Sequence, residues 1–138
     1  MSLDLFVFAL PGDDNQFPSK IVEQAFAPFA PDMGDGEFYL YLDGEPTSVL
    51  MSLRLGEVID GFSVNRPPDK DWFPGFWDAL YSVLRQTRSF CVVAGVRGSP
   101  MYCVANRDTL DELPAVMDAD ERACVVHSGA DLAAALVS

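Results

Sequence analysis

Residues 61–88, GFSVNRPPDKDWFPGFWDALYSVLRQTR, hold a strand, a forced break and an amphipathic helix in succession, and the rest of the chain is read as packing around them. Phe73, Phe76, Trp77, Leu80 and Leu84 recur at the i, i+3, i+4, i+7, i+11 spacing that gathers side chains on one helical face. Asp78, Ser82, Arg85 and Gln86 fall on the other face. Pro67 and Pro68 have no N–H and cannot extend a strand ladder, while Asp69 or Asp71 can cap the helix start. Arg85 and Arg88 suit the negative end of the helix dipole. An apolar helical face of this width needs a sheet to cover. The same aromatic residues also admit a ligand pocket among Trp72, Phe76, Trp77 and Tyr81, but helical spacing favours a core role.

Outward from that stretch, residues 3–10 are apolar at both alternating sets, Leu3, Leu5, Val7 and Ala9 against Phe6, Phe8 and Leu10, as in a central strand covered on both sides. Pro11 to Asp14 turns the chain, and Ser19 is positioned to cap a helix carrying Ile21, Val22, Ala25, Phe26 and Phe29. Residues 37–43 alternate Phe38, Leu40 and Leu42 with Tyr39, Tyr41 and Asp43, the pattern of a half-exposed strand. A hairpin turn at residues 43–46 leads into a return strand with Val49, Met51, Leu53 and Leu55 on one face. Residues 58–65 form a further short strand.

Beyond the Trp-rich helix, residues 90–96 and 101–105 read as a hairpin turning at residues 97–100. Asp108 is expected to cap a short helix that Pro114 limits, residues 123–126 read as a last strand, and Ser128 with Asp131 marks a capping box for a terminal helix. Short strands joined by tight turns give antiparallel pairing. The expected fold is therefore a single α+β domain over residues 1–138, mainly an antiparallel sheet with about four helices largely on one side. Its early element order permits a ferredoxin-like core with additions.

The chain has 21 acidic residues against 9 Lys and Arg, a formal net charge of -12. That charge repels nucleic acid and anionic membranes and favours encounter with a basic partner. No apolar run reaches the roughly 18 residues of a membrane span, and the N-terminus lacks the basic n-region of a signal peptide, so a cytoplasmic location is expected. Cys91, Cys103 and Cys124 form no Cys-x-x-Cys pair, and buried reduced thiols fit them best. Cys91 and Cys103, symmetric about Arg97, can face each other across the hairpin, where a disulfide is the alternative.

Chemistry is tested against the single histidine. His127 and Ser128 are adjacent on an extended segment and point to opposite faces, so they do not form a base and nucleophile, and no Gly-x-Ser-x-Gly elbow is present. Zinc would need His127 with isolated cysteines. Residues 93–99 lack the Lys-Ser/Thr of a phosphate loop. Asp32, Asp35 and Glu37 supply oxygen ligands without the spacing of a calcium loop, and Asp111 with Glu112, like Asp118, Asp120 and Glu121, reads as helix-flanking charge. No catalytic residue, metal or cofactor is expected, and the chain is expected not to be an enzyme.

Two segments, DLFVFALP at residues 4–11 and GFSVNRPPDKDWFPGFWDALYSVLRQT at residues 61–87, set in a small acidic chain, resemble in layout the small bacterial immunity proteins of polymorphic or secretion-delivered toxin systems. The resemblance implies a non-enzymatic protein that binds a cognate toxin and blocks its active site. With the charge, it implies a basic toxin. The expected contact patch is Asp32, Asp35, Glu37, Tyr39, Tyr41, Asp43 and Glu45, tyrosine anchors flanked by steering carboxylates on turns. The alternatives are a regulatory or structural domain of a larger assembly, and a small-molecule binder using the aromatic pocket.

Overall fold

The computed structural model describes residues 3–94, 101–113 and 122–137. Among these the chain runs β1 (Asp4–Ala9), β2 (Phe17–Pro18), α1 (Lys20–Phe26), β3 (Glu37–Leu42), β4 (Glu45–Ser52), β5 (Val58–Ile59), β6 (Gly61–Asn65), α2 (Pro74–Gln86), β7 (Ser89–Ala94), β8 (Met101–Val104), α3 (Arg107–Glu112), β9 (Arg122–Val125) and α4 (Gly129–Val137). Seven strands form one sheet in the order β3-β4-β6-β1-β7-β8-β9, and β2 pairs with β5 apart from it. Every pairing is antiparallel except β8 with β9, whose strands are joined through α3. The chain is an α+β domain with a mainly antiparallel sheet. The ferredoxin-like core stays an expectation within this larger, seven-stranded sheet.

One face of the sheet carries the main core. Leu5 and Val7 of β1 pack with Phe62 and Val64 of β6, Cys91 and Val93 of β7, and Phe38, Leu40, Val49 and Met51 of β3 and β4. Phe73, Phe76, Trp77, Leu80 and Leu84 are all buried above them, as the helical spacing requires. α1 and α4 pack against α2, one on each side, contributing Val22 and Phe26, and Leu132 and Leu136. Burying side chains of this size stabilises by about 1.5–3 kcal/mol each, and the aromatic contacts add to it: Trp77 meets Phe76 edge-on at 4.9 Å between centroids.

α3 covers only the far end of the opposite face. Leu10, Phe90, Val104 and Leu113 form a second, smaller cluster there with Tyr102 and Leu110. β1 is central, with β6 on one side and β7 on the other, but it is not covered on both faces: Phe8 is 43% exposed and Phe6 half-buried. Alternation recorded two apolar faces, and only one of them lies under the helices.

Several local expectations are corrected. Residues 58–65 are two strands, since β5 turns away to pair Ile59 with Phe17 and Val58 with Pro18. The Ser19 hydroxyl donates to Glu23 at 2.7 Å instead of accepting from a helix N–H. Asp69 accepts from the amides of Asp71 and Trp72, ordering the turn before α2, while Phe73 is the N-cap and Pro74 opens the helix. Asn106, not Asp108, precedes α3, and its side chain donates to the carbonyls of Leu84 and Arg85 at the end of α2. Ser128 does cap α4, accepting from the amide of Asp131, whose carboxylate accepts from the amide of His127. The turn expected at residues 97–100 and the carboxylates Asp118, Asp120 and Glu121 lie outside the described residues.

Candidate protein-binding face

β3 is an edge strand. Phe38 and Leu40 point into the core, which leaves Tyr39 53% exposed and Tyr41 half-buried on the opposite face. Both ends of the strand are held by defined turns. Before it, the Asp32 carboxylate accepts from the amide of Gly34 at 2.9 Å, and the Gly36 carbonyl accepts from the amide of Leu53 at 2.7 Å. After it, Asp43 and Gly44 have φ of 54° and 80°, a two-residue turn with both centres left-handed, which matches the strand twist and ties Leu42 to Glu45.

The β3–β4 register shifts between Tyr39, opposite Leu50, and Tyr41, opposite Pro46. The Thr47 hydroxyl fills the gap, donating to Leu40 O at 2.7 Å and accepting from Val49 N at 3.2 Å. This bulge bends the hairpin end, where Asp43 and Glu45 stand exposed. Asp32, Asp35, Glu37, Tyr39, Asp43 and Glu45 are exposed and Tyr41 partly so, on β3 and the turns at its two ends.

That edge continues onto the bare side of the sheet. Through cross-strand register Tyr39 stands opposite Leu50, Leu50 opposite Asn65 and Asn65 opposite Asp4. The next row is Glu37, Ser52, Ser63 and Phe6, and Phe8 follows opposite Gly61. The Asn65 side chain donates to the Asp4 carboxylate at 2.6 Å. Tyr39, Ser48, Leu50, Asn65 and Arg66 line an open depression of about 340 Å³. Arg66 holds a φ of 56°, unusual for a residue with a Cβ, where β6 ends against Pro67. Leu50, Phe6 and Phe8 were not expected at the contact surface. Alternation set Leu50 on the face away from Val49 and Met51, whereas Phe6 and Phe8 were expected under cover, and the strand order brings all three to the same side of the sheet as Tyr39.

The aromatic pocket is not formed by its four residues. Phe76 and Trp77 lie at 0% and 1% exposure inside the core, Trp72 is 44% exposed, and Tyr81 is partly exposed in a separate shallow depression with Ser82, Arg85 and Gln86. His127 is exposed at the exit of β9. Cys91 stands directly opposite Cys103, and Cys103 opposite Cys124, across three adjacent strands, with the Cys103 and Cys124 sulfurs 3.7 Å apart and all three thiols free. Burial pushes the Cys91 thiol far above its ordinary range, and burial together with the neighbouring Cys124 and Cys91 does the same to Cys103. Among the described residues no three His, Cys, Asp or Glu side chains are grouped to hold a metal ion, and no helix is long and apolar enough to cross a membrane.

Compared with protein-family models, with curated proteins and with solved structures, the chain matches none.

Proposed function

We propose that this chain is a non-enzymatic, cytoplasmic binding protein that neutralises a basic protein, in the manner of an immunity protein acting on a cognate toxin. The observation that carries it is the edge strand β3, whose half-exposed Tyr39 lies between two groups of exposed carboxylates, Asp32, Asp35 and Glu37 at one end and Asp43 and Glu45 at the other. Tyrosine supplies contact area at low entropic cost, and carboxylates around it steer a cationic partner and raise the association rate. The net charge of -12 acts in the same direction and against nucleic acid. A toxin that acts on nucleic acid or another anion carries the basic active-site surface that such a patch would occupy.

The test has two stages. The chain, used as bait at low salt, should retain a basic protein whose expression alone arrests growth and whose toxicity co-expression of the chain relieves. The association rate of that pair should then fall for Asp43→Lys and Glu45→Lys, most at low ionic strength where the screening length is long, and hold for Asp111→Lys on α3. Equal slowing by all three would mean that net charge alone is at work and that β3 is not the contact strand.

A further inference from the structure

The bare side of the sheet between β3 and β1 has the form of a trough. Phe6 and Phe8 stack along β1 with centroids 5.7 Å apart and planes at 6°, making one wall, and Tyr39 on β3 makes the other, with Leu50 of β4 on the floor beside it. The floor between them carries Ser52, Ser63 and Gly61, in register with Glu37, Phe6 and Phe8. Gly61 keeps the floor low: a Cβ there would meet the backbone carbonyl of Val7 and come within 3.3 Å of the Phe8 ring. Among the described residues no helix covers this region, since α1, α2 and α4 lie on the other face and α3 packs on β8 and β9.

Resting on the reading of the chain as a binder of a basic protein, we infer that this trough receives one amphipathic, cationic helix of the partner, its apolar stripe on Phe6, Phe8 and Leu50. Width supports a helix. β3 and β1 are three strand spacings apart, about 14 Å, against a helix diameter of about 10–12 Å with side chains. Charge complementarity supports a cationic one: Asp4 and Glu37 lie on the face and Asp43 and Glu45 at its edge, with Arg66 at one corner. The same charge argues against a second copy of this chain, because a face-to-face dimer would bring two net charges of -12 together. An apolar stripe docked into a groove and flanked by Lys or Arg is a recurrent mode of helix recognition.

The probe is a peptide of about 18 Leu and Lys residues with leucines at i, i+3, i+4 and i+7, long enough to hold a helix, and the control is a scrambled isomer of the same composition. Titrated into the isotopically labelled chain at low salt, the amphipathic peptide should shift resonances of Phe6, Phe8, Tyr39 and Leu50 and bind several-fold tighter than the isomer. Phe8→Ser and Leu50→Ser should each weaken binding about tenfold, as central apolar anchors do, in variants whose amide spectra show the sheet intact. Asp111→Lys should change it less than about twofold. Two outcomes would overturn the trough while sparing the cationic-partner reading: equal binding of both peptides, or shifts confined to the acidic turns. Failure of the amphipathic peptide and of polylysine alike would overturn both. Concentration-dependent dimerisation abolished by Phe8→Ser would assign the face to a second copy and also sink the proposal.

Discussion

The indole N–H of Trp77 donates to the carbonyl oxygen of Pro68 at 3.0 Å, in a buried bond that ties the first turn of α2 to the proline break before it. Trp77 is therefore both the largest fully buried side chain and the partner of a backbone group that would otherwise be orphaned. Trp77→Ala should cost about 3–5 kcal/mol. Trp77→Phe keeps most of the apolar area but leaves Pro68 O unpaired, for about 1–3 kcal/mol. Urea denaturation measures both, and an unchanged midpoint for Trp77→Ala would remove Trp77 from the core.

Gly129 opens α4 where that helix crosses α2. A Cβ on it would lie 2.6 Å from the Asp78 amide nitrogen and 2.7 Å from the Trp77 carbonyl carbon, against backbone that cannot swing aside. Gly129→Ala should destabilise by about 1–3 kcal/mol through overpacking, despite alanine's better helix propensity. Adding Asp78→Ala should not restore the melting temperature, because it removes the carboxylate and leaves the backbone obstacle. Full rescue would show that the Asp78 side chain was the contact that mattered.

Helix α2 was legible because five large apolar side chains repeat at helical spacing, and the β3 alternation correctly separated Phe38 and Leu40 from Tyr39 and Tyr41. Proximity across a hairpin was legible too, as with Cys91 opposite Cys103. Caps were less so: Ser19 and Asp69 have the right chemistry, but each found a different local partner. β2 and β5 are two residues each, too short for a periodic signal. The bare face escaped the sequence for a topological reason. Phe6 and Phe8 in β1 and Leu50 in β4 share a surface only because β6 is inserted between those strands, and no local pattern encodes strand order.

Thr47 replaces a missing rung in the β3–β4 ladder, its hydroxyl bridging Leu40 O and Val49 N. Thr47→Val keeps the shape and β propensity while removing both bonds, which should cost about 1–3 kcal/mol at this half-buried site. The bulge sets the direction of the Asp43–Glu45 turn, so amide resonances of residues 40–49 should shift while those of β7 and β8 hold still. Unperturbed shifts at Leu40 and Val49 would mean that the hydroxyl does not hold the register.

The buried thiols make an alkaline prediction whose sign is fixed. Cys91 and Cys103 have thiol pKa values raised well above the ordinary 9.0, because burial penalises the thiolate. In the unfolded chain the same thiols ionise near their ordinary value. Above about pH 9 the unfolded state therefore binds fewer protons than the folded one, and unfolding becomes easier as pH rises. Their contribution is intact below the unfolded pKa and is lost progressively toward the folded one, at up to about 1.4 kcal/mol per pH unit for each thiol. Urea midpoints between pH 8 and 10.5 should fall less steeply for Cys91→Ala than for the parent chain, and less steeply again for Cys91→Ala with Cys103→Ala, after each curve is referenced to its own value at pH 8. Parallel curves for all three proteins would mean that these thiols titrate alike in the folded and unfolded chains and are not shielded by the sheet.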